Sequence, residues 1–142
     1  MDAGDLGLRQ RTYAFMVAAG RAPRADELGD PDNVVAGWRR LHEAHALVLN
    51  TATDEIRMLN PFSAVPSAWR VHAKDRWWYA NCAWDAFGVC AALHSDGRIE
   101  SSCPDCGEPL VVEVRNEHPD DEGLLFHVLV PASHWWDDIV FT

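Results

Sequence analysis

Arg76-Trp77-Trp78-Tyr79-Ala80-Asn81-Cys82-Ala83-Trp84-Asp85-Ala86-Phe87 is the stretch on which the fold turns. Its first half is rich in aromatic residues that suit a pleated surface. With Val71-His72-Ala73 across the polar turn Lys74-Asp75-Arg76, the run Trp77 to Ala80 predicts a pair of short strands. From Cys82 to Leu93, small and aromatic residues follow one another at a spacing that fits a buried helix. If that helix begins near Asn81, Cys82 sits in its first turn, where free backbone N–H groups and the positive dipole end favour a thiolate. Asp85 lies three residues on, one turn along the same face, so its carboxyl can stand close to the sulfur. The pair can unite a soft thiolate with a proton-delivering acid. The spacing equally allows Cys82 to be a small buried hydrophobe and Asp85 a surface or capping residue.

Downstream, Arg98 to Ser101, Leu110 to Val114 and Leu124 to Val130 are three β-rich runs separated by turn residues. Upstream, Asn60 to Ser67 contains two prolines and two serines and is expected to be a linker that breaks any regular element. Ahead of it, residues 6–20 carry apolar side chains at helical spacing and stop at Gly20. A short helix introduced by Pro23 follows, then a longer one from Val34 to Leu47, capped by Asp32 or Asn33. Val48 to Leu59 reads as two short strands around a polar turn. The expected class is therefore α+β. A three-helix, winged-helix-like lobe spans residues 1–60, and a small mixed β-sheet lobe with one short helix spans 61–142.

Composition limits the function. The 142 residues are 48% hydrophobic and include seven Trp, which supports a packed core beneath an acidic surface of net charge −10. Seven basic residues face nine acidic ones up to Asn60, and five face thirteen after it. Phosphate backbones are bound by clustered Lys and Arg, whereas the basic residues here are dispersed as Arg9/Arg11, Arg21/Arg24 and Arg39/Arg40. Nucleic-acid binding is disfavoured, and the N-terminal lobe reads better as a packing module. The first residues show no basic-then-apolar signal segment, and no apolar run of membrane-spanning length occurs. A cytoplasmic protein with four reduced thiols is expected.

Cys103-Pro104-Asp105-Cys106-Gly107 has the form of a knuckle that offers two thiolates to a metal. It supplies half a zinc site. The remaining candidates, Cys82, Cys90, His94, His118 and His127, form no second knuckle. The pair stays open between structural thiols, a partial zinc site, a transient mercury site and, less favoured, a redox dithiol. The pairs Trp77-Trp78 and Trp135-Trp136 read as core, or as an apolar wall near Cys82 suited to an organic group. Glycine-rich phosphate loops, serine nucleophile elbows and HExxH pairs are absent from the sequence.

The run Arg76 to Phe87, followed by Arg98-Ile99-Glu100-Ser101-Ser102-Cys103-Pro104, resembles the core of the organomercurial (alkylmercury) lyases. The specific part is Tyr79-Ala80-x-Cys82-Ala83-x-Asp85 and the Ser101-Ser102-Cys103 that follows about twenty residues later. The resemblance implies a short catalytic helix, with Cys82 as the first catalytic cysteine, Asp85 as the catalytic acid and Cys103 as a cysteine kept for structural reasons. It further implies a small organomercurial substrate and no required cofactor. Hg(II) is then the bound product, with a mercuric reductase or free thiols as acceptor. Metal contacts are expected at Cys82, and at Cys103 and Cys106. The family's second catalytic cysteine aligns at or just past Thr142, so three explanations stand side by side: a sequence truncated before that segment, in the sharper version at a UGA codon for selenocysteine read as stop, a degenerate paralogue, or a takeover by Cys106, although neither Cys106 nor Cys90 is at the matching position. A metal- or thiol-sensing winged-helix protein and a degenerate lyase paralogue are the alternatives.

Overall fold

The computed structural model describes residues 2–121 and 123–140. Helix α1, Ala3–Ala19, begins where the Asp2 side chain accepts the Asp5 N–H at 2.8 Å and ends at Gly20, whose φ of 73° is the left-handed conformation that closes helices. A single 3-10 turn, Ala25–Glu27, replaces the short second helix expected after Pro23. Helix α2, Pro31–Glu43, is capped by Asp30 instead of Asp32 or Asn33. Pro31 explains the earlier start, since its fixed φ and missing N–H suit the first helical position.

The two helices are joined by polar as well as apolar contacts. Asp5 is buried and forms an ion pair with Arg40 at 2.7 Å. The Trp38 indole donates to the buried Thr12 hydroxyl at 3.1 Å, and that hydroxyl donates to the Leu8 carbonyl at 2.8 Å. Leu41 is fully enclosed. Leu41→Ala is expected to cost about 2–5 kcal/mol, read as a lower midpoint in urea unfolding, because the helices close only partly around the lost volume.

The strands form one sheet among the described residues, in the order β1-β2-β3-β5-β4-β6-β7-β8. They are β1 Val48–Leu49, β2 Ile56–Leu59, β3 Phe62–Ser63, β4 Trp69–Ala73, β5 Arg76–Ala80, β6 Gly97–Ser102, β7 Pro109–Arg115 and β8 His118–Pro119. The α+β class stands, and every described pairing is antiparallel where a mixed sheet was expected. The expected linker is corrected: Phe62 and Ser63 pair with β2 on one side and with β5 on the other. The sheet therefore runs without a break from the N-terminal strands into the rest of the chain. Lys74 and Asp75, at φ of 55° and 57°, make the tight turn between β4 and β5.

On β5 the alternation of the pleat buries Trp78 and Ala80 and leaves Trp77 and Tyr79 outside. Of the tryptophan pairs expected in the core, only Trp78 is there. Trp77 lies under the Arg70 guanidinium, and Trp136 stacks on His45 with ring centres 4.0 Å apart. Helix α3, Ala83–Leu93, packs on β4 and β5 through Ala86, Val89, Cys90 and Leu93, the i, i+3, i+4, i+7 stripe of one helical face. The strand expected from Leu124 to Val130 does not form. The outer edge of β7 is already paired with β8, which ends in Pro119, a residue with no N–H to extend the ladder.

Candidate active site

Strand β5 stops at the buried Ala80, and α3 begins three residues later at Ala83. Cys82 is the residue before the first helical turn, with an extended backbone at φ −152° and ψ −177°, and Asp85 is the third residue of the helix. This geometry turns both side chains toward one cavity of about 420 Å³. Its walls are mainly apolar: Trp69, Trp84, Phe126, Val128 and Trp135 contribute, with Pro104 at one side. The segment after Gly123, expected as a strand, instead supplies part of this wall.

Asn81 ties the pair to the rest of the molecule. Its amide nitrogen donates to Asp85 Oδ2 at 2.8 Å and faces Asn60 Oδ1, the Pro61 carbonyl and the Phe62 carbonyl at 3.3–3.4 Å. The Asn60 carbonyl in turn accepts the Tyr13 hydroxyl from α1 at 2.9 Å. Asn81 Oδ1 is buried without a hydrogen-bond partner among the described residues, so the amide is oriented wholly by what its nitrogen finds. Helix α3 can approach this loop because it carries Gly88 there: a side chain at that position would come within 2.9 Å of Pro61.

Burial pushes the Asp85 carboxyl above the usual carboxylate range, and the Asn81 bond opposes that by favouring the ionised form. Burial also raises the Cys82 thiol, and the Asp85 charge raises it further. The amides of Asp85 and Trp84 pull the other way without prevailing. The expectation of a thiolate favoured at the helix start is thus corrected. The dipole acts, but desolvation and a neighbouring carboxylate outweigh it, and both depend on tertiary packing that spacing does not reveal.

The other cysteines stand elsewhere. Cys90 is buried on the core face of α3 and borders a separate cavity of about 880 Å³, divided from the first by Trp84 and Phe126, which line both. Cys103 and Cys106 lie on the turn between β6 and β7, next to Pro104 but outside the walls of the Cys82 cavity. The amides of Cys106 and Asp105, with the Cys106 thiol, hold the Cys103 thiol below its usual range. No group of three or more His, Cys, Asp or Glu side chains is gathered to hold a metal among the described residues, so zinc at Cys103 and Cys106 has no support. Among these residues, too, no helix is long and apolar enough to cross a membrane.

Cys82 and Asp85, paired by their spacing, line one cavity, whereas Asn81, Asn60 and Tyr13 were not singled out from the sequence. The only local signal for them was a polar side chain set between a buried strand and a cysteine.

Comparison with known proteins bears on this geometry. No curated protein sequence matches the chain significantly. Among solved structures it is similar to one described as the crystal structure of the mercury-bound form of MerB2, with a TM-score of 0.68 and 22% identity over 85% of this chain. The chain spans 60% of that structure's length, and the likeness is one of fold. The family model described as "MerB: Alkylmercury lyase" matches residues 62–142. That match runs from β3 through the Cys82–Asp85 junction and the Cys103 turn, more than half of the sequence, and the chain accordingly belongs to the alkylmercury lyase family.

Proposed function

We propose that this protein cleaves the carbon–mercury bond of organomercurials by protonolysis, with Cys82 and Asp85 as the reacting pair. The observation that carries the reading is that a thiol and a carboxyl, both raised by burial, face the same apolar cavity. The competent form of such a pair is thiol and carboxylate, with one proton between them. When R–Hg–X enters, the Cys82 sulfur bonds to mercury, X⁻ leaves, and the thiol proton passes to Asp85. Thiolate coordination pushes electron density onto the metal-bound carbon, a soft-metal effect that a hard ligand would not supply. Asp85 then protonates that carbon, R–H departs, and mercury is left between the Cys82 sulfur and the Asp85 carboxylate. The cavity's aromatic walls suit the organic group R. Asn81 is assigned as the positioning residue that aims the carboxyl, and four free thiols suit a reducing cytoplasm.

The test is the gas or aromatic product itself. Methylmercury or phenylmercury given to the purified chain with excess thiol should yield methane or benzene continuously, measured by headspace chromatography. Tight binding of Hg(II) with no hydrocarbon released would overturn the enzyme reading and leave a degenerate lyase.

A further inference from the structure

We propose that Cys103 and Cys106 form a second mercury(II) site at the side of the Cys82 cavity, a two-thiol acceptor that lifts the metal product off Cys82 and Asp85. The binding half of this proposal stands alone, and the transfer half rests on the lyase reading above.

Four observations converge. The turn is tightly closed: the Gly107 N–H reaches the Cys103 carbonyl at 2.9 Å, and the Cys103 N–H reaches the Glu108 carbonyl at 2.8 Å. Gly107 makes this closure with a φ of 75°, which a side chain would strain. The closure sets Cys103 and Cys106 on the two arms of one tight turn, and the Cys106 thiol is among the groups that hold the Cys103 thiol below its usual range. Access is open, since Cys106 is exposed and Cys103 only half-buried. The turn also borders the Cys82 cavity, because Pro104, between the two cysteines, is part of its wall. Finally, no third His, Cys, Asp or Glu joins them among the described residues. That donor set fails zinc, which wants four ligands, and fits mercury(II), which two thiolates satisfy in a linear arrangement.

The transfer balances without any redox change. In the product state mercury bridges Cys82 Sγ and the Asp85 carboxylate. Cys103 sulfur attacks mercury, a Hg–S bond forms, the Hg–O bond breaks, and the Cys103 proton leaves through Asp85 to solvent. Cys106 sulfur then forms the second Hg–S bond, the bond to Cys82 breaks, and the Cys106 proton returns to Cys82. The reacting pair is left as thiol and carboxylate, its starting state, and the metal waits at an exposed turn where outside thiols can take it.

Two measurements on the reduced 142-residue chain test this. Mercuric chloride titrated against glutathione competition should bind Cys82→Ser with one Hg(II) per chain. Adding Cys106→Ser to that background should weaken binding by about 100-fold or more, as the advantage of a second tethered ligand disappears. Equal binding by both variants overturns the site, whether or not the protein is a lyase. In the second measurement, methylmercury is supplied with no added thiol. The wild type should release two methanes per chain before stalling, one metal parked on the dithiol and one left on Cys82. Cys106→Ser, a change at an exposed position, should stall after one. A wild-type burst of one methane overturns the transfer, and no methane with intact Hg(II) binding overturns the lyase reading alone.

Discussion

Cys82→Ser is expected to lower hydrocarbon release from methylmercury by at least about 10³-fold, equivalent to roughly 4 kcal/mol of barrier. The substitution leaves size and position nearly unchanged. Cys82 makes no side-chain cap hydrogen bond to α3, and serine is itself a good residue at a helix start. Stability should therefore hold or rise slightly, and circular dichroism should match the wild type. What is lost is softness. A hydroxyl binds mercury weakly and remains protonated where a buried thiol can still exchange its proton for the metal. Single-turnover kinetics with phenylmercury, read by benzene release, measure the loss directly. A serine variant retaining a tenth or more of the wild-type rate would remove Cys82 from the reaction and leave the cavity without a nucleophile. The same variant should still hold one Hg(II) on Cys103 and Cys106, which separates loss of chemistry from loss of metal binding.

The parts of this molecule that could be read from its sequence are those whose signal is local. The apolar stripe of α3 and the polar turn Lys74-Asp75 each identify their element within a few residues, because helical and pleated periods are short. Strand β3 escaped notice because it is two residues long and follows a proline, and it exists only because β2 and β5 lie on either side of it. Leu124 to Val130 misled in the opposite sense. Its composition suits a strand, but the neighbouring sheet edge is occupied by β8, and β-propensity without a partner makes no strand. The site divides the same way. Cys82 and Asp85 are one helical turn apart and were legible as a pair. The Asn81 clamp reaches back some twenty residues to Asn60 and, through it, forty-seven more to Tyr13. The direction of both raised pKa values depends on how deeply those contacts bury the pair, which no spacing rule encodes.

Asp85→Asn is expected to reduce turnover by about 10²–10⁴-fold, the usual worth of a positioned proton donor, while leaving mercury capture by Cys82 in place. The amide is nearly isosteric and can still meet Asn81, so the fold should persist. A stable Cys82–Hg–R adduct should then accumulate, visible as an added mass of the intact alkylmercury group. The pH profile carries the finer test. Turnover needs one proton between Cys82 and Asp85. Below the raised Asp85 value both groups are protonated and the carboxyl cannot accept the thiol proton, so activity falls as pH drops through it. Above the raised Cys82 value both are ionised and no proton remains for carbon, so activity falls as pH rises through it. The result is a bell whose limbs belong to the coupled pair. Asn81→Ala moves one limb in a determined direction. The Asn81 amide stabilises the Asp85 carboxylate, so removing it raises the Asp85 value further, and the acid limb must shift to higher pH. A general loosening of the site would lower the rate at every pH without moving that limb. An unshifted acid limb in Asn81→Ala, beside a reduced maximum, would show that Asn81 supports the loop at Asn60 and not the acid.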